Sequence, residues 1–359
     1  MINQENNIII NESLYLPQFE MEAENIINKS IILYGSRGSG KSVICKDILY
    51  KLKDSIPTAI VFNATESNNG LFSSLISKPF LYEKIELKVL DEVWKRQEMI
   101  TVIYKKVNDV DNLIKIIKKL EIIKMIESME KMDNKQSEIA DNLELKIEND
   151  NEFLIEMNKL NDKFKEVKLL MLKKFIIEIK KKLKKNILNK ELLNQEELDI
   201  IKFIDINPNL IIVFDDCAAE LKRFNKTDTL RKLFYQSRHV FISFIITCQD
   251  EIDLDASLRK NANISIFCDS NCCIGFFERS SNAFSKKIKT TTKEISDIIY
   301  SNEYKNTKLI YNKDSDNKLM WYIAKLRDKF VFGSKYTNEF AKKIITDKEH
   351  DISLIIKKI

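Results

Sequence analysis

The chain has 359 residues, 44% apolar and 31% charged, enough for one large α/β domain with an elaboration or for two domains around real cores. Its polar opening, MINQENN, is not a secretory signal, and apolar stretches such as Leu210 to Phe214 are far too short to cross a bilayer, so no membrane span is expected and the protein reads as soluble and intracellular. The 59 Lys and Arg against 54 Asp and Glu leave a formal charge of +5, and that surplus is unevenly placed.

In chain order, the first predicted strand is Ile31 to Tyr34. It runs into Gly35, Ser36, Arg37, Gly38, Ser39, Gly40, Lys41 and Ser42, and Val43 to Leu52 follows with helical spacing. The octapeptide fits G-x-x-x-x-G-K-[ST] at every fixed position and holds three of the chain's six glycines. Strand, glycine-rich loop and helix in that order predict a cradle of backbone N–H groups around a polyphosphate, at the positive end of a helix. A nucleoside triphosphate is therefore the expected ligand. Lys41 is expected to reach its β- and γ-phosphates, and Ser42 to offer its hydroxyl to Mg²⁺.

Thr58 to Phe62, after Pro57, is the second predicted strand. From Phe80 to Asn207 there is then neither glycine nor proline. Apolar residues recur at three- and four-residue steps in Ile103, Val107, Val110, Ile114 and Ile117, and again in Phe153, Met157, Leu160, Phe164, Val167 and Met171. With the polar stretch from Asp133 to Asn151 as the turn, this predicts an antiparallel helical hairpin inserted into the nucleotide-binding domain. Residues 95–190 carry 23 Lys and Arg against 17 Asp and Glu, and Leu172 to Lys190 holds eight lysines and one glutamate. Such a stretch reads either as a solvated helix face or as a sequence-independent contact with nucleic-acid phosphates.

The third strand, Leu210 to Phe214, delivers Asp215 and Asp216. An acidic pair at a strand end is the usual partner of such a loop: Asp215 is the expected Mg²⁺ residue and Asp216 the candidate general base, with Glu66 an alternative for positioning water. The fourth strand, Val240 to Thr247, leads into Cys248 and Gln249, which places Gln249 to bond the γ-phosphate or the attacking water. Just before it stands Arg238, a candidate arginine finger acting on a neighbouring subunit, with Arg259 as its rival. Ile264 to Phe267 is a fifth strand, and Lys308 to Tyr311 with Leu319 to Ile323 read as a hairpin across a polar turn. Short apolar runs separated by helical stretches predict a mainly parallel sheet with right-handed crossovers. Cys45, Cys217, Cys248, Cys268, Cys272 and Cys273 lie mostly in or beside apolar runs and read as buried reduced thiols, since two histidines leave few ligands for a zinc site.

Taken together, Ile32 to Ser42, the pair 215–216, Arg238-His239 and Thr247 to Gln249 resemble the DNA-packaging ATPases of poxviruses and other nucleocytoplasmic large DNA viruses, a branch of the FtsK–HerA superfamily. Leu90 to Gln97 and Leu258 to Phe267 are also similar, and the resemblance covers roughly 30–110 and 205–325. It implies an α/β, RecA-like P-loop NTPase that hydrolyses ATP with Mg²⁺ and oligomerises as a homo-oligomeric ring, a hexamer. It further implies translocation of double-stranded DNA, without sequence preference, into capsids with a capsid or portal protein as partner, in the host-cytoplasm viral factory and the virion. The chain departs from the superfamily in carrying Asp at position 216 where Glu is usual, and in the length of the helical insertion. The expected organisation is 1–94 and 201–325 as the two parts of the ATPase domain, 95–200 as the inserted hairpin, and 326–359 as a C-terminal tail or helix. An SMC-like nucleotide-gated clamp is the alternative, but it needs an L-S-G-G signature, and no glycine occurs between Gly70 and Gly275.

Overall fold

Short runs of Ile, Val, Leu and Phe, each bounded by a loop, form the strands at the centre of the protein. The computed structural model describes residues 7–11, 14–132, 165–182, 192–279, 282, 284–301 and 306–356. Its strands are β1 (Ile8–Asn11), β2 (Leu14–Leu16), β3 (Ser30–Tyr34), β4 (Thr58–Asn63), β5 (Leu81–Tyr82), β6 (Leu210–Asp215), β7 (Ile242–Cys248), β8 (Ile264–Phe267), β9 (Thr307–Asn312) and β10 (Leu319–Ile323). Apart from single turns, the helices are α1 (Lys41–Leu52), α2 (Leu87–Val107), α3 (Val110–Met132), α4 (Lys165–Lys182), α5 (Gln195–Lys202), α6 (Ala218–Phe224), α7 (Asp228–Gln236), α8 (Ala256–Asn261), α9 (Ser270–Glu278), α10 (Lys286–Ile299) and α11 (Lys335–Ile356).

Eight strands form one sheet in the order β10-β9-β8-β3-β7-β6-β4-β5, while β1 and β2 make a separate antiparallel pair. From β8 to β5 all neighbours are parallel, and β9 and β10 add an antiparallel edge. Every residue of β3, β4, β6, β7 and β8 is buried, because helices cover both faces of this part of the sheet. Alternate side chains feed two cores: Ile32, Tyr34, Phe62, Phe214 and Phe244 on one face, Ile31, Leu33, Val61, Val213 and Ile245 on the other. The sheet is thus mainly parallel and the fold α/β, as the short apolar runs separated by helical stretches predict and as the resemblance to P-loop NTPases implies.

The chain divides into two compact units, residues 1–97 with 209–359, and residues 98–208. In the first, the chain after β10 runs back along α1. Asp47 of α1 is fully buried and accepts hydrogen bonds from the Tyr322 hydroxyl (2.7 Å), the Lys325 amide (2.9 Å) and Arg327 Nε (2.6 Å). The Arg327 guanidinium also lies 4.3 Å from the centroid of the Tyr50 ring. Burial and the Asp47 carboxylate together push the Tyr322 phenol up.

The second unit has its own core, in which Val107, Leu113, Ile116, Ile117 and Leu120 meet Leu172, Ile176, Ile179, Ile200, Ile201 and Ile204. The first predicted seam is in phase with this core, although the helix breaks between α2 and α3. There Asn108 turns its side-chain amide onto the Tyr104 carbonyl (2.6 Å), and the Asp109 carboxylate caps the next helix through the Asp111 amide (3.0 Å). The second seam needs correction. Phe153 to Phe164, and the turn from Asp133 to Asn151, lie outside the described residues, while Val167 and Met171 are 49% and 41% exposed. Leu172, Ile176 and Ile179 are buried in their place. Helix α4 carries two apolar stripes, and its partners, not its own spacing, select the one that is buried. Two lysines of the basic stretch are engaged within this unit, Lys173 with Asn108 (2.8 Å) and Lys180 with the Ile201 carbonyl (3.0 Å). Burial pulls the Lys173 ammonium down. Lys174 and Lys181 are exposed, and 183–190 lie outside the described residues.

Candidate nucleotide site

Parallel strands present their C-terminal ends along one edge of the sheet, and the register fixes which residues meet there. Tyr34 pairs with Cys248 on one side and with Phe267 on the other, so the loop after β3 emerges between Gln249 and Cys268-Asp269. Asn63 pairs with Asp215, and Phe214 with Ile246, which brings Asp215 level with Thr247.

The loop from Gly35 to Gly40 is shaped by its glycines. A Cβ on Gly35 would stand 2.7 Å from Cβ of Cys268, so only glycine lets the loop leave the sheet there. Gly40, at φ +95°, turns the backbone into α1, whose first residue is Lys41. The Gly35 amide bonds the Cys248 carbonyl (3.1 Å), the Ser36 amide bonds the Asp269 carboxylate (2.6 Å), and Ser39 Oγ bonds the Ser36 carbonyl (2.8 Å). Lys41 Nζ donates to the carbonyls of Gly35 and Ser36, which fixes the ammonium over the loop. Arg37, Gly38 and Ser42 are exposed.

Next to the loop stands a connected polar group. Thr247 Oγ1 donates to Asp215 Oδ1 (2.7 Å) and accepts from the Asp216 amide (3.0 Å). Gln249 Nε2 donates to Asp216 Oδ1 (3.1 Å). Asp215 is 7% exposed; burial pushes its carboxyl up, the Thr247 hydroxyl and Lys41 pull it back, and the net direction is upward. Asp216 is exposed and sits at φ +55°, a left-handed conformation that Asp tolerates better than most side chains.

The donor set suits ATP and Mg²⁺. A glycine-lined loop at a helix N-terminus, an ammonium over it, the exposed Ser42 hydroxyl and the Asp215 carboxylate are the oxygen and N–H groups these ligands need. Among the described residues no three His, Cys, Asp or Glu side chains converge. Magnesium held here would draw its remaining ligands from phosphate and water, which is its usual habit.

Of the remaining sequence candidates, Glu66 is committed to its own loop: its carboxylate accepts from Asn63 Nδ2 (2.7 Å) and from the amides of Phe72 (3.1 Å) and Ser73 (2.7 Å). Arg259 is buried in the last turn of α8 and donates to the Leu254 carbonyl, so it presents no exposed guanidinium. Arg238 is exposed in the single turn Ser237–Val240 ahead of β7. It therefore lies at the opposite end of that strand from Gln249; the seven residues of β7, at about 3.3 Å each, keep it away from its own loop. All six cysteines are buried and none forms a disulfide, and burial takes the Cys268 thiol beside Gly35 up to about 11.

Two residues of this edge, Asp269 and Lys308, are not singled out by the sequence, and Thr247 is marked only as part of the run that ends in Gln249. Asp269 had a legible signal, because an Asp just before the run Ser270 to Glu278 is a helix N-cap, and its carboxylate does accept from the Cys272 amide (2.9 Å). Lys308 showed only as a charge at the head of the apolar run Leu309 to Tyr311.

No protein-family model matches the chain. It is 32% identical over 355 residues to protein B354L of African swine fever virus, a match that spans 93% of this chain and 94% of the relative. Protein L437 of Acanthamoeba polyphaga mimivirus is 21% identical over 338 residues, spanning 91% of this chain and 83% of the relative. Among solved structures, the genome packaging NTPase B204 of Sulfolobus turreted icosahedral virus 2 in complex with ATP-gammaS is 14% identical, with 86% of this chain and 98% of that chain covered and a TM-score of 0.36.

Proposed function

The chain belongs to the family of the African swine fever virus protein B354L, and on that premise we propose that it is an ATP-hydrolysing motor that translocates viral double-stranded DNA into capsids. The observation that carries the reading is the meeting, at one edge of the sheet, of the loop 35–42 with Asp215, Asp216 and Gln249, the last two joined by a hydrogen bond of 3.1 Å. The backbone amides of Gly38 to Ser42 and the Lys41 ammonium bind the phosphates and offset their charge. Ser42 and Asp215 would hold Mg²⁺, which supplies positive charge against the developing charge on the phosphates. Asp216 takes a proton from the attacking water, and the Gln249 amide orients that water and registers the γ-phosphate. Arg238, too far along β7 to serve its own site, reaches a neighbour's nucleotide in a ring of six subunits. Double-stranded DNA is engaged without sequence preference, and a capsid or portal protein receives the motor.

Steady-state ATP hydrolysis titrated with linear double-stranded DNA at two salt concentrations tests the proposal. DNA should stimulate turnover strongly at low salt, with the half-saturating DNA concentration rising steeply at high salt, because each neutralised phosphate adds roughly 0.9 to the log–log slope. Turnover indifferent to DNA at both salt concentrations would remove the motor reading and leave a nucleotide-gated module.

A further inference from the structure

Strand β9 enters the sheet antiparallel at the nucleotide edge, and its second residue is Lys308. Leu309 pairs with Phe267, so Lys308 stands beside Cys268, one residue past the end of β8. Its side chain is not on the surface: the residue is 6% exposed. The ammonium donates to the Ser39 carbonyl (2.8 Å) and lies 3.5 Å from the Cys268 carbonyl. A Cβ built on Gly40 would stand 3.3 Å from that nitrogen, so the lysine lies directly under the last glycine of the loop.

Among the described residues no carboxylate forms an ion pair with Lys308. Lys41 stands over the same loop and the N-terminal end of α1 begins at the next turn, while the nearby carboxylate, Asp269, is engaged with the Ser36 and Cys272 amides. Both ammoniums pull the Cys268 thiol down against the burial that raises it, which places both within electrostatic reach of one buried atom. As a filler of space this is an expensive choice, since a buried ammonium with no ion-pair partner costs more than an apolar side chain of the same volume. A polyanion on the loop removes that cost.

We infer that Lys308 is a positioning residue of the phosphate loop: it latches the Ser39 carbonyl from beneath, and its buried charge strengthens the hold of the loop on a polyphosphate. Asp269 secures the other end of the loop through the Ser36 amide (2.6 Å), so β8 and β9 together brace the segment that β3 alone would leave free. The antiparallel edge of the sheet is then a working part of the nucleotide site. The inference rests on reading residues 35–42 as a triphosphate site.

The test is fluorescence titration of the full-length protein with N-methylanthraniloyl-ATP at two ionic strengths, for Lys308→Met, Lys308→Gln, Lys308→Arg and Lys41→Ala, with cooperative melting as the check on folding. Loss of one charge-assisted hydrogen bond should weaken binding about 10- to 100-fold in the Met variant. The Gln variant keeps a donor for the Ser39 carbonyl but loses the charge; its affinity should fall by about tenfold and depend less steeply on salt. Lys308→Arg, which keeps the charge, should stay within a few-fold of wild type, and in the Gln variant KM should rise by more than kcat falls. If the Met variant does not melt cooperatively, the Gln variant decides. Wild-type affinity in a folded Gln or Met variant overturns the inference, and so does failure of both to fold, which would make Lys308 a core residue only. If Lys41→Ala also binds like wild type, the triphosphate reading itself falls; if Lys41→Ala is dead and Lys308→Gln is intact, only the latch falls.

Discussion

Asp215 and Asp216 are adjacent and chemically identical, yet the fold sends them to different environments. The first is buried and takes the Thr247 hydroxyl; the second is exposed, faces Gln249 and holds a left-handed backbone. Asp216→Asn should keep nucleotide affinity and slow single-turnover hydrolysis by about 10²–10⁴-fold, because the amide keeps the shape and loses the basic oxygen. If Asp215→Asn stalls turnover with Mg²⁺ binding intact while Asp216→Asn is nearly silent, the two roles are reversed. Asp269 carries a separate prediction about pH. Burial raises its carboxyl, the Cys272 and Ser36 amides more than offset this, and the folded value lies below the ordinary one. A depressed folded value means that its contribution to stability is complete above the unfolded value of about 3.9 and is lost as pH falls through the folded one. Melting temperature followed from pH 6 to pH 2 should therefore drop less across the acid limb in Asp269→Asn than in wild type; parallel curves would show that this carboxylate does not brace the loop.

At the scale of elements, the P-loop helix α1 is held from behind by the chain that follows β10. Asp47 is the anchor, and it binds one hydroxyl, one amide and one guanidinium directly. Asp47→Ala leaves the Tyr322 hydroxyl and the Lys325 amide without an acceptor beside a part-buried Arg327, a loss of about 1–3 kcal/mol for each donor that stays buried. Chemical denaturation should read that loss, and amide exchange across 324–334 should quicken before the strands exchange. Unchanged exchange there would mean that Tyr50 and the apolar contacts hold the strap without Asp47. The strands themselves were legible because a run buried on both faces has to be mostly apolar, as Ala59 to Phe62, Leu210 to Phe214 and Phe244 to Ile246 are. Helix α4 was not legible in the same way. Val167 and Met171 have the spacing of a seam as good as that of Leu172, Ile176 and Ile179, and the choice between the stripes lies in α3 and α5.

For the whole molecule, the position of Arg238 matters most. It is exposed at the end of β7 opposite the phosphate loop, so an arginine finger at this position has to serve another subunit. Arg238→Ala should bind ATP normally and lose hydrolysis steeply, by roughly 10³–10⁵-fold where in-trans fingers have been measured. Mixing Arg238→Ala with Lys41→Ala subunits should restore part of the activity, because an intact loop then faces an intact arginine across an interface. No recovery at any ratio, in rings shown to have co-assembled, would exclude action in trans. Arg259, buried against the Leu254 carbonyl, should show no complementation in the same experiment.

The sequence by itself determined what is local. A strand, a glycine-rich loop and a helix that follow one another are contiguous in the chain, so the turn from Tyr34 through Gly35 to Gly40 into α1 was legible without a structure. The same holds for Asp215 and Asp216 at the end of an apolar run. Only the tertiary structure decided what depends on neighbours distant in the chain. Strand register sets Gln249 beside Asp216 and Thr247 beside Asp215, separations of more than 30 residues that no periodicity encodes. Lys308 reaches Ser39 across 269 residues because β9 returns antiparallel beside β8, and a lysine in a strand gives no local sign of the carbonyl it will meet. Periodicity marks which side chains are fit for burial, and the packing of partners then decides which of them are buried and which charges are brought together.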